Sequence, residues 1–170
     1  MLYLREKPLG IDTKIDIIQK SIFKTIGENV DVYGRVYRNP NKSGVTAEVY
    51  VSGLEYRDVF TNDLKSGSVF FIDSEIHKFL GGNDFESDIK VVFMLDLKKL
   101  SGVELRNDSE VQTKAILELK KHRFFTIEKI EKGIPTVFKG FDTSTIKIND
   151  MQPYHVFAVV GKLKYNINNC

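Results

Sequence analysis

Cysteine is almost absent: Cys170, the last residue, is the only one. A lone thiol excludes an intrachain disulfide and a thiolate metal cluster, and it fits a reducing cytosol. Long apolar runs are missing too. None approaches the ~18–20 residues that a bilayer-spanning helix needs. The start, Met1-Leu2-Tyr3-Leu4-Arg5-Glu6-Lys7, has no basic segment followed by a long apolar one, so it does not read as a secretory signal. Neither sign of charge dominates. Lysine and arginine number 25 against 23 aspartates and glutamates, a net charge of +2. A balance this close to neutral is no argument for nucleic-acid binding.

Recognised chemical motifs are equally scarce. His77, His122 and His155 are the 3 histidines, and none belongs to a ligand-spaced group. There is no Gly-x-Ser-x-Gly elbow, no His-Glu-x-x-His and no phosphate-cradling loop ending in Gly-Lys-Ser/Thr. Asn83, Asp84 and Glu86 could suggest calcium. An EF-hand loop, however, needs ligands at fixed alternate positions and a closing glutamate, and that pattern is missing. The sequence therefore nominates no catalytic, cofactor-binding or metal-binding residue, and the expectation is a protein without catalytic activity. Lys120-Lys121-His122-Arg123 followed by Phe124-Phe125 does interleave cations with aromatics, as single-strand binders do. A helix C-terminus with cations on its dipole, followed by two core aromatics, explains the same residues more simply.

What is present is hydrophobic patterning, and it organises the chain around residues 89–125. Ile89, Val91, Phe93, Leu95 and Leu97 alternate, which predicts a strand over 89–98 with one apolar face. Val111, Ala115, Ile116 and Leu119 form one stripe of a helix predicted over 108–122. A strand face and a helix stripe this apolar must cover each other, giving a sheet-plus-helix layer. Upstream, Ile15, Ile18, Ile22 and Ile26 predict a helix over 12–26, with Asp12 as its N-cap and Gly27 as its stop.

Strands are predicted at 30–37, 45–51, 55–60, 68–72, 124–130, 136–139 and 154–165. Loops are predicted at 39–44, 61–67, 77–88 and 141–152. The last strand is apolar on both faces in its first half, so that half should be central. The strand-to-strand connections look too short for parallel crossovers. The fold class is thus α+β, a mainly antiparallel sheet with two principal helices packed on it. Residues 1–10 read as an N-terminal arm and 11–170 as a single α+β domain. Pro8 keeps the arm extended and separate from the first helix.

One stretch points beyond fold. Glu48-Val49-Tyr50, Glu55-Tyr56, Val59, Asn62-Asp63, Ser68 and Phe70-Phe71 resemble the middle of a family of small bacteriophage tail-completion or neck ring proteins. The first helix followed by Val32-Tyr33-Gly34-Arg35-Val36-Tyr37 is similar to the opening of that family. Asp96-Leu97-Lys98-Lys99-Leu100, with the helix from Asn107-Asp108-Ser109-Glu110-Val111, is similar to a later part of it. The likeness is to neck proteins of Bacteroidetes phages, including the crAss-like group, and it runs over about 12–165. The loop before the central strand and the 141–152 connection are hard to align with it.

The resemblance implies a structural virion protein in the head–tail neck, assembled in the host cytoplasm. It would form a homo-oligomeric ring of six or twelve copies beside portal, neck and tail proteins. Genomic DNA would pass through the lumen without sequence-specific contact, and no membrane would be involved. A ring needs a heterologous interface whose rotation closes. The surfaces nominated for it are Leu2, Tyr3 and Leu4 in the arm, Arg38 and Asn39, Asn62 and Asp63, and Val92 and Met94 on the second face of the central strand. The alternatives are that the chain itself covers Val92 and Met94 and that the arm packs on its own domain or frays. The competing expectation is a cytosolic nucleic-acid-binding or accessory protein without catalytic activity.

Overall fold

Five strands form the main sheet of the computed structural model, which describes residues 1–27, 29–52, 55–60, 66–101, 107–149 and 151–167. In chain order the elements are α1 (Ile11–Ile26), β1 (Val30–Arg35), β2 (Tyr37–Pro40), β3 (Val45–Ser52), β4 (Glu55–Asp58) and β5 (Gly67–Gly81). There follow β6 (Asp84–Asp96), α2 (Leu97–Ser101), α3 (Asp108–Lys120), β7 (Phe125–Lys132), α4 (Ile134–Val137) and β8 (Tyr154–Asn166). The main sheet has the order β1-β5-β6-β8-β7, and β2-β3-β4 form a second, smaller sheet. The α+β class with a mostly antiparallel sheet is as the sequence predicts. One pair departs from it: β1 and β5 run parallel. Their connection is long enough for a crossover because it carries the whole small sheet.

Alternation along β6 decides the layers. Ile89, Val91, Phe93 and Leu95 face α1 and α3, and join Ile15, Ile18, Ile22, Val111, Ala115 and Leu119 in one buried cluster. Phe93 stacks on Phe157 of β8 with centroids 4.7 Å apart, which locks the two central strands together. Val92 and Met94 point the other way, into a second cluster with Phe70, Ala47, Val49, Phe138 and Val156. The small sheet and α4 therefore cover the second face themselves. This corrects the assignment of Val92 and Met94 to a subunit interface: both are buried within their own chain. The 141–152 segment belongs to the same cover, because Phe141, Ile146 and Ile148 pack on that cluster.

The arm is also corrected. Leu2 bridges Val32 in parallel register, and the Tyr3 amide donates to the Val32 carbonyl at 2.9 Å. Tyr3 stacks on Tyr33 at 4.7 Å, while Gln19 Nε2 of α1 donates to the Tyr3 carbonyl at 2.8 Å. Leu2 and Tyr3 thus extend the chain's own sheet edge. They are not left for a neighbour, because an exposed edge beside β1 gains backbone bonds from the nearest extended segment. Leu4 alone of the three is exposed.

Local elements differ from expectation for identifiable reasons. Residues 77–88 are not a loop. They are the far end of a β5–β6 hairpin that turns at Gly82-Asn83, with Gly81 paired to Asp84. A Gly-Asn pair suits a two-residue hairpin turn, and Gly82 has φ 59°. The alternation there was masked because one face is wet and charged. Residues 30–37 split at Val36 into β1 and β2, which lie in different sheets. Asn39 and Pro40 close β2 rather than opening a loop, and proline is tolerated at such an edge. Residues 136–139 begin inside α4, where Pro135 occupies the first turn. The central strand stops at Asp96, whose Oδ1 accepts from the Lys99 amide at 3.1 Å and so caps α2. Asp12 is not the N-cap of α1; Gly10 is. Its carboxylate has another use.

Candidate functional site

Arg35, at the end of β1, is the hub of a polar cluster between α1 and the hairpin. Its Nε donates to Asp12 Oδ1 at 3.1 Å and its Nη1 to Asp73 Oδ2 at 3.0 Å. Arg5 from the arm reaches the same Asp12 carboxylate at 2.8 Å. Burial would lower the Arg35 pKa, but its bonds to Asp12 and Asp73 outweigh that and hold it above the usual range. Next to Arg5, burial pushes Asp16 up, against the pull of Lys20. The cluster ties α1 and β5 to one guanidinium, whose planar fork suits two carboxylates, and the arm joins through Arg5 on Asp12.

Asp73 continues the cluster into the hairpin. His77 Nε2 lies 3.2 Å from Asp73 Oδ2 and 3.0 Å from the Ser74 carbonyl. Both are acceptors, so the network assigns the hydrogen to Nε2. Nδ1 then accepts from the Tyr165 hydroxyl at 2.6 Å. This tie spans from β5 to β8 across β6, where Ser87 stands opposite His77. The order carboxylate, imidazole, hydroxyl is that of an activated nucleophile. Two facts oppose that use. Tyr165 is only 9% exposed, with its ring stacked on Phe85 at 5.7 Å. Burial also raises its pKa, which keeps the proton on oxygen. What the arrangement does is pin the hairpin.

A second feature lies on the outer face of the small sheet. Ala47 and Val49 point inward, so Glu48 and Tyr50 point outward, and the register places Tyr37 beside Glu48 and Tyr56 beside Tyr50. The rings of Tyr37 and Tyr56 meet edge-to-face at 5.8 Å, and those of Tyr50 and Tyr56 at 5.7 Å. Arg5 stands 5.7 Å from the Tyr37 ring centroid and bonds its hydroxyl. Between this face and the arm runs a cleft of about 350 Å³.

The third feature is the sheet beyond its cover. β1 pairs with β5 only as far as Phe71. From Asp73 to Gly81 the outer side of β5 has no neighbouring strand among the described residues. Ile76, Phe79 and Leu80 on this stretch are 81%, 60% and 43% exposed.

The nominated surface residues do not converge. Arg38 stacks over Phe141 at 4.8 Å, and Asn39 is bonded to Glu48. Asn62 and Asp63 lie outside the described residues. The cationic run at 120–125 is divided: Lys121 pairs with Glu118 at 2.5 Å and Phe125 is core. Phe124 carries Lys14 at 5.2 Å from its centroid. Burial lowers the pKa of His122, opposite to what a phosphate-binding cation needs.

Sequence reasoning missed the Arg35 cluster, whose members come from four distant segments. Asp73 and His77 meet because the β5–β6 register shifts between them, which nothing in the sequence signals. The tyrosine face could have been read from the alternation of 47–50. Among the described residues no group of three or more His, Cys, Asp or Glu could hold a metal ion, and no helix is long and apolar enough to cross a membrane. No protein-family model matches the chain, and no match was found among curated proteins.

Proposed function

We propose that this protein is a non-enzymatic assembly subunit, a component of a bacteriophage head–tail neck ring built from six or twelve copies. The observation that supports this reading best is the open edge of β5 at residues 73–81 with Ile76, Phe79 and Leu80 in water. An edge strand with solvent-exposed apolar side chains is a template for another chain. Glu75 and Lys78 on the same stretch limit uncontrolled pairing, as charges on natural edges do. The His77–Tyr165 tie holds this edge in place, which suits a contact surface that must be ready before assembly.

The experiment joins solution mass measurement with electron microscopy of the native particle. A double variant, Ile76→Lys with Leu80→Lys, should keep the monomer's melting temperature and lose the ring. Wild-type protein that stays monomeric at all concentrations and is missing from the neck density would overturn the proposal. If that monomer also bound single strands with affinity falling steeply with salt, the accessory reading would replace it.

A further inference from the structure

We infer that the cleft between the arm and the tyrosine face is a binding site for a nucleotide unit, an aromatic base carrying phosphate. This inference stands on the cleft alone and does not rest on the neck reading. The volume, about 350 Å³, is at the lower end of the range for small-molecule sites. Its walls supply both halves of such a ligand's chemistry. Tyr37 and Tyr50 line it from β2 and β3, and Tyr3 lines it from the arm. Tyr50 and its neighbour Tyr56 are 45% and 54% exposed, while Ala47 and Val49 on the sheet's other face are buried. Stacked aromatic faces are how base-binding sheets hold bases without regard to sequence.

The charged lining selects the other half. Arg5, Lys7 and Arg35 line the cleft against one carboxylate, Glu6. Asp12, nearly fully buried, clamps both guanidiniums from behind. Arg5 is thereby held beside the Tyr37 ring, and Lys7 stands exposed at the rim. A phosphate placed on Arg5 and Lys7 leaves its base over the tyrosines. Asp12 and Asp73 offset the two guanidiniums, so Lys7 is the cation that separates this ligand from a proline-rich peptide, which also uses aromatic grooves but brings no anion.

The ligand could be a free nucleotide or a unit of a single strand, and the assay separates them. The probes are a fluorescent thymidine decamer followed by anisotropy and thymidine monophosphate followed by calorimetry. The site predicts binding of at least one probe at low salt. With two phosphate contacts, log K for the decamer falls with log salt at a slope of about −1.4. Tyr50→Ala should weaken binding about tenfold or more, and Lys7→Glu should weaken it and flatten the slope. Both residues are exposed, so unchanged melting temperatures will show that each variant is folded. A decamer bound far more tightly than the monophosphate identifies a strand site, and equal affinities identify a free-nucleotide site. No binding of either probe, or binding that Tyr50→Ala leaves intact, overturns the inference.

Discussion

Replacing Arg35 with methionine removes a side chain that joins α1, β1 and β5 by ion pairs. The Arg35 side chain is 26% exposed, while those of Asp12 and Asp73 are 7% and 14% exposed. Losing one partner of a buried ion pair costs about 3–5 kcal/mol, because the other charge is left without compensation. Here the loss falls at the lower limit. Asp12 keeps Arg5 at 2.8 Å, and Asp73 keeps a hydrogen bond from His77 Nε2 at 3.2 Å. We expect about 3 kcal/mol. For a chain of 170 residues each kcal/mol moves the melting temperature by about 2–4 °C, so the fall should be about 6–12 °C.

Urea unfolding and thermal circular dichroism measure both quantities. Hydrogen exchange should also quicken selectively in the first turn of α1 and at 73–81. Arg35→Lys tests the geometry. One ammonium cannot serve two carboxylates as a fork does, so it should recover only part of the loss. A change in Arg35→Met below about 0.5 kcal/mol, the range of ordinary surface substitutions, would refute the reasoning. Full recovery by lysine would refute the bidentate part of it.

Two further outcomes test the core and the electrostatics. Gly161 lies in β8 where an added Cβ would stand 2.2 Å from the Thr126 carbonyl oxygen and 3.0 Å from Phe125 Cζ. An unstrained carbon–oxygen contact is about 3.3 Å, so Gly161→Ala must push β7 outward by about 1 Å. The expected cost is about 2–3 kcal/mol, measured by urea unfolding; a neutral result would mean that β7 is not seated there. Glu131 is one of the acid-sensitive groups. Burial pushes its carboxyl up, but hydrogen bonds from Lys129 and Lys90 outweigh that and hold it below its ordinary value of 4.5. A carboxyl depressed in the folded state contributes stability above its unfolded pKa, and the contribution is lost as pH falls through the folded one. The stability difference between wild type and Glu131→Gln should therefore shrink below about pH 4.5, and a pH-independent difference would count against the pairing.

Periodicity alone determined the helices α1 and α3, the central strand and the central place of β8. Each carries a full apolar stripe or face, and burial is what makes such a stripe visible in a sequence. Ile15, Ile18 and Ile22, or Val91, Phe93 and Leu95, could hardly have had another fate. The hairpin at 77–88 was not legible, because its open face bears Lys78, Glu86 and Asp88 and so reads as a polar loop. Short elements such as α4 escaped because four residues carry no period.

Only the tertiary structure decided which chain covers Val92 and Met94. An apolar face states that it will be covered and is silent about the partner; the small sheet turned out to be the partner. It alone decided that the arm lies on β1, since backbone bonding to an edge leaves no trace in side-chain pattern. And it alone brought Asp12, Arg35, Asp73, His77 and Tyr165 together. Charged residues on separate elements attract only once the fold has placed them, so their meeting is a consequence of topology.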